Sequence, residues 1–226
     1  MHDQAGLLAV LQHGDSLFPS GAVSFSNGLE TLARDGRITD ADGVRAFVHD
    51  HLTMRWATME RCYLVAADSH RDDLDALDAL DDELDAYTWP AEAREGSRRA
   101  GIALLRTHTQ LGSARATAYA AAVAQGKAIG GLPIAQGLVA HDAGLSIDTA
   151  QAVSAYTLAA GLVSAAIRLG LIGHVAAQRL LTDLRPLIAD LLASPAPATA
   201  DAHAFTPLID IAAMRHETLD HRLFAT

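Results

Sequence analysis

The chain has 226 residues, half of them hydrophobic, and a formal net charge of −10 from 17 basic against 27 acidic side chains. That length is ample for one sizeable core, and the acidic surplus argues against nonspecific binding to nucleic acid or anionic membranes while favouring basic partners. Cys62 is the single cysteine, which excludes an intramolecular disulfide, and the opening Met-His-Asp-Gln-Ala-Gly lacks the charged-then-apolar pattern of a signal peptide, so the cytoplasm is the expected compartment.

In chain order the pattern is helical nearly throughout, with no convincing alternation of Val, Ile or Thr. A short helix over 3–13 precedes the break at Pro19-Ser-Gly21, and a second over 25–34 stops near Gly36, a suitable C-cap. Thr39 or Asp40 then caps a long helix to about Asp68, with Val44, Phe47, Val48, Leu52, Trp56 and Met59 spaced as one buried stripe. The acidic stretch 72–87 keeps Leu74, Leu77, Leu80 and Leu84 on one face and its aspartates on a solvated one. Pro90 opens a helix over 91–111, and small-residue helices over 114–129 and 134–143 flank Gly130-Gly-Leu-Pro133. Ser146 caps a helix whose stretch 149–167 has no charged residue; its Ala-rich, Ser- and Gln-spotted composition suits a bundle interior rather than lipid. A helix over 172–192, a Pro/Ala linker over 194–204 and a detached helix over 209–224 complete an all-α fold. The reading is one domain, a bundle of roughly nine to ten helices, divided as a core over 1–193, the linker, and a C-terminal tail over 205–226.

No chemical motif survives inspection. Gly126-Lys-Ala-Ile-Gly-Gly131 lacks the earlier glycine and the following Ser or Thr of a phosphate loop. The Asp-rich run 68–85 lacks the turn glycine of a calcium loop. Eleven histidines invite a metal site, but no Glu-x-x-His pair of a di-metal bundle occurs. His216 with Asp220 and Glu217 with His221 share helix faces at four-residue spacing, where intrahelical ion pairs are the plainer reading. Cys62 reads as a small buried hydrophobe. No catalytic, metal or cofactor-binding residue is assigned. The alternatives are a helical metal-dependent enzyme built on scattered His and Asp, and a diverged stand-alone helical dimer.

What remains is contact chemistry. In the stretch 162–181, Arg168 closes the uncharged run and needs water, an acidic partner or carbonyl oxygens. Gly173, His174, Gln178 and Arg179 follow it at a helix start. In the turn 19–28, Ser24, Ser26 and Asn27 are placed to satisfy backbone groups and Phe25 to pack, or simply to cap a helix. At the C-terminus, Met214, Leu219, Leu223 and Phe224 make an apolar stripe, folded back on the core or laid in a partner's groove.

Four blocks in this order resemble the UreF family of urease accessory proteins: Pro19 to Glu30 with its Gly-x-x-Ser-x-Ser-x-Gly-Leu-Glu run, Arg94-x-x-Ser97-x-x-x-Gly101-x-x-Leu104-Leu105, Arg168-Leu-x-x-x-Gly173-x-x-x-x-Gln178, and Met214-x-His216-Glu217-x-x-x-x-Arg222-Leu223-Phe224. The resemblance implies a non-enzymatic, all-α, usually dimeric scaffold that bridges a UreD/UreH-like accessory protein to a nickel-carrying UreG-like GTPase and serves the urease apoprotein through that complex. It implies that Arg168, His174, Gln178 and Arg179 lie towards the GTPase and that the tail, including Met214, His216, Glu217, Arg222, Leu223 and Phe224, orders against the UreD/UreH-like partner. Leu171, His174 and Ala177 stand where the family pattern has proline, glutamine and glycine.

Overall fold

The computed structural model describes residues 4–15, 17–18 and 25–224. Every regular element among them is helical: α1 (Gln4–Gly14), α2 (Leu29–Arg34), α3 (Ala41–His51), α4 (Arg61–Ser69), α5 (Leu74–Tyr87), α6 (Ala91–Gln110), α7 (Ala114–Ala124), α8 (Leu132–Ala140), α9 (Ile147–Arg168), α10 (His174–Leu192) and α11 (Pro207–His216). A π-helical stretch, Leu52–Glu60, joins α3 to α4 without a break, so the long helix read from the sequence is one rod. A short 3-10 turn, Thr199–Asp201, interrupts the linker.

The helix starts follow from local chemistry. Asp40, Asp73, Ser113 and Ser146 each accept a hydrogen bond from the amide three residues on, satisfying a donor that the first turn leaves orphaned. Pro90 and Gly131 precede α6 and α8 without side-chain caps. At the start of α8 the Ser97 hydroxyl, on α6, accepts from the Leu132 amide at 3.0 Å.

The rod joins two hydrophobic clusters. Its first part packs Val44, Phe47, Val48, Leu52 and Trp56 with α2, α9 and α10. Its second part packs Met59, Cys62, Tyr63 and Ala67 with α5, α6, α7 and α8. A π turn holds more residues than an α turn, which rotates the apolar face of the rod from one cluster towards the other. Polar anchors fix it there: Trp56 Nε1 donates to the Ser154 hydroxyl at 3.1 Å, and Arg61 donates to Gln151 Oε1 and to the carbonyls of Leu191 and Ser194. Arg61 thus closes the C-terminal end of α10 as a buried guanidinium whose hydrogen bonds go to amide and carbonyl oxygens.

By length and composition α9 is apolar enough to cross a membrane, yet 50% of its apolar window is buried inside the protein. Its Gln151 and Ser154 are hydrogen-bonded to the rod and to Gln136, and the helix lies against α10, α3 and α1. It is a core helix of the bundle.

Two expectations are corrected. The acidic face of α5 is solvated except at Asp81, which is 1% exposed and accepts from the Tyr119 hydroxyl at 2.8 Å and from the Gly130 and Gly131 amides at 2.6 and 3.1 Å. Asp81 lies four residues after Leu77 and three before Leu84, so the period that buries the leucines buries it too. Burial pushes its carboxyl up, against the pull of the three donors. The loop it holds presses on α6: a Cβ on Gly101 would sit 2.1 Å from the Gly130 carbonyl oxygen, so only glycine fits that crossing.

The second correction concerns the C-terminus. The helix expected to run over 209–224, detached, ends at His216 and packs on α2 and α6, and residues 217–224 fold back onto the core.

Replacing Asp81 by Ala strands three buried donors, and we expect a loss of about 3 kcal/mol in unfolding free energy. Urea unfolding of the variant checks this; an unchanged midpoint would contradict the anchoring role of Asp81.

Candidate functional site

The C-terminal segment converges on the Glu30 carboxylate. The chain enters α2 through Asn27 (φ 50) and Gly28 (φ 87), both in the left-handed region. A Cβ on Gly28 would meet the Ile209 carbonyl oxygen at 2.9 Å and the Ala213 amide nitrogen at 3.2 Å, so the backbone of α11 lies directly on the glycine. Two residues later Glu30, fully buried, accepts from His216 Nε2 at 3.0 Å, from the Leu223 and Phe224 amides at 2.9 and 3.2 Å, and from Arg34 at 3.0 Å.

The neighbours complete a clasp. His216, also fully buried, reaches Glu92 Oε2 through Nδ1 at 2.7 Å, and Arg222 donates to Glu92 Oε1 at 2.7 Å. Both His216 nitrogens face carboxylates, which ties α11 to α2 and to α6 through one ring. Arg34 donates to the carbonyls of Asp220 and His221, and Arg215 pairs with both oxygens of Asp35. His221 turns the chain in the left-handed conformation (φ 57), and Phe224 ends buried with the Arg168 guanidinium 4.2 Å above its ring.

This is why the helix stops at His216. Two amides, those of Leu223 and Phe224, have to face the Glu30 carboxylate, which a continuing helix would turn onto its own carbonyls. The four-residue pairs His216–Asp220 and Glu217–His221 therefore do not form; His216 turns inward and Glu217 is exposed.

The structure divides the sequence-derived residues into two groups. Arg168, His216, Arg222 and Phe224 meet in or beside the clasp, while Met214, Glu217 and Leu223 point outward from it. His174, Gln178 and Arg179 are exposed on the first turns of α10, beside the exposed Val175, and their side chains make no hydrogen bond among the described residues. Ser26 is buried with its hydroxyl unpaired. Ser24 lies outside the described residues. Sequence reasoning did not single out Glu30, Glu92, Arg34 or Asp35; for Glu30 the signal was its place at the end of the Gly-Leu-Glu block.

Between the two clusters lies a cavity of about 190 Å³, lined by Phe25, Asn27, His51, Trp56, Gln136 and Ser154 among others. Burial, with the Arg55 charge adding to it, pushes the His51 imidazole down to about 3, so it is neutral. Among the described residues no group of three or more His, Cys, Asp or Glu side chains is placed to hold a metal.

Two pH windows follow. Burial pushes the Glu30 carboxyl up, but its hydrogen bonds from His216, Leu223 and Phe224 outweigh that, and it sits below its ordinary 4.5. A lowered carboxyl stabilises the fold fully above that value, and the contribution is lost as pH falls through the folded one. His51 acts earlier: below 6.5 the unfolded chain takes up a proton that the folded imidazole, at about 3, refuses, so stability falls with pH. We expect His51 alone to cost about 2 kcal/mol between about pH 7 and pH 5. Urea titrations at both pH values should show this slope reduced in His51→Gln, whatever that variant's absolute stability; an identical slope would contradict the assignment.

The UreF family model matches residues 38–185. A urease accessory protein UreF of Cereibacter sphaeroides is 34% identical over 223 residues, covering 98% of this chain and 99% of its own. Those of Lachnoclostridium phytofermentans and Haemophilus influenzae are each 33% identical, covering 96% of this chain and 97% and 94% of their own. These full-length matches span the clasp as well as the bundle, and the chain belongs to the UreF family of urease accessory proteins, a family of non-catalytic chaperones.

Proposed function

We propose that this protein is a scaffold of urease maturation, a cytoplasmic homodimer that bridges a UreD/UreH-like accessory protein and a UreG-like GTPase so that nickel, the cargo, reaches the urease apoprotein. Family membership over nearly the whole chain supports a urease accessory role. The observation that carries the bridging reading is the outward face of the clasped segment. Leu208, Ile211, Met214 and Leu223 are 49%, 54%, 40% and 62% exposed although the segment that bears them is fixed by a buried carboxylate. A rigid element that shows apolar side chains to solvent is suited to a partner's groove, because its ordering cost is met before the encounter.

In this reading residues 1–193 are the core, 194–204 the linker and 205–226 the element that meets the UreD/UreH-like protein. The GTPase lies over Arg168, His174, Gln178 and Arg179, the last three exposed side chains on one helix start. The net charge of −10 supports basic patches on the partners and no role for nucleic acid.

Co-expression with both partners, followed by size-exclusion chromatography with light scattering, tests the proposal. The wild type should elute as one complex with two copies of each protein. The double variant Ile211→Asp, Met214→Asp changes exposed side chains only, so the melting temperature should hold while the UreD/UreH-like partner is lost. Arg179→Glu should release the GTPase and keep that partner. Retention of both partners by both variants would overturn the surface assignment.

A further inference from the structure

We propose that His13 on α1 and His108 on α6 form a two-histidine site for a divalent transition-metal ion of the zinc type. The Nε2 atoms of the two rings are 3.3 Å apart, although 95 residues separate them in sequence. In the metal-free chain that spacing carries one N–H···N hydrogen bond. It equals the edge of a tetrahedron around an ion with metal–nitrogen bonds of about 2.0–2.1 Å, an edge of about 3.3–3.4 Å. A square-planar pair at the same bond length would sit at about 2.9 Å, so the spacing favours a tetrahedral ion.

The hydrogen bonding around the pair is that of a ligand set. His13 Nδ1 lies 2.8 Å from the Ala9 carbonyl oxygen, which only accepts, so the proton is on Nδ1 and the lone pair of Nε2 faces His108. Metal-bound histidines characteristically donate their second nitrogen in this way, which fixes tautomer and ring orientation. The His108 ring is 2% exposed, and its Nε2 shares the hydrogen bond with His13. Its one proton bridges to His13 in the metal-free chain; on binding, that proton shifts to Nδ1 and both Nε2 lone pairs turn to the ion. No proton is released in that shift.

Phe18 covers the pair, its ring centroid 4.5 Å from His13 and 6.0 Å from His108, and shields one side from water. His13 also lines the internal cavity, so the remaining coordination positions open to water there. Two protein ligands among the described residues and open positions describe an exchangeable site, and its consequence in the fold is a metal link between α1 and α6. The inference does not depend on the urease role, and it concerns residues that the four family blocks leave out.

Chelator-treated full-length protein titrated with Zn2+ by calorimetry is the test. The wild type should bind one more ion than His13→Gln, and that site should weaken by about tenfold or more in the variant. Zn2+ should raise the melting temperature of the wild type and leave that of His13→Gln unmoved. Co2+ in place of Zn2+ should give the intense visible absorption of a tetrahedral ion in the wild type alone. His13 is half-buried near the chain end, so this variant keeps the fold where a His108 variant could lose it. Equal Zn2+ stoichiometry and affinity in wild type and His13→Gln, or no Zn2+ binding by the wild type, would overturn the proposal.

Discussion

One buried carboxylate, Glu30, organises the end of the chain. Leaving it unpaired in the interior would cost several kcal/mol, and its compensation comes from the Arg34 guanidinium one helical turn on and from groups far away in sequence, His216 and two tail amides. Because the Leu223 and Phe224 amides reach it only when the tail is in place, the carboxylate favours docking of residues 217–224 in the folded state. The Arg168 guanidinium, whose charge ends the uncharged run of α9, lies over the ring of Phe224 while its side chain stays exposed to water. The demand that the sequence places on Arg168 is met at the rim of the same clasp.

The resemblance blocks acquire separate physical meanings in this frame. In the first, Gly28 lets α11 approach and Glu30 binds its continuation. In the second, Arg94 closes the end of α5 through the Thr88 and Trp89 carbonyls, Ser97 caps α8, and Gly101 makes room for the Gly130 carbonyl. These residues build the fold. In the third, His174, Gln178 and Arg179 support nothing internal and face solvent, which is what a contact surface requires. The departures from the family pattern sort in the same way: Ala177 is 1% exposed and alters packing, whereas His174 alters the surface.

Most of the architecture was legible because it is written locally. The caps at Asp40 and Ser146, the stripe from Val44 to Met59 and the stop at Gly36 depend on neighbours a few residues away, and each stands where periodicity and capping chemistry put it. What escaped depends on partners at long range. Asp81 looked like one more solvated aspartate, since nothing near it announces that Tyr119, Gly130 and Gly131 will supply its donors. The tail looked helical to Phe224, since local propensity carries no record of a carboxylate 193 residues away that captures the Leu223 amide. The outward residues of the candidate site were found through resemblance and the inward ones only through the fold, because a buried acid and a solvated acid have the same local sequence.

Hydrogen exchange at the Leu223 and Phe224 amides tests the clasp most directly. Both should be protected in the wild type, to the level of global unfolding, and in Glu30→Gln they should exchange as in an unfolded chain while the core amides of α9 stay protected. Amides at 223 and 224 that exchange freely in the wild type would contradict the account, because the tail would then not be held by the one carboxylate on which the arrangement depends.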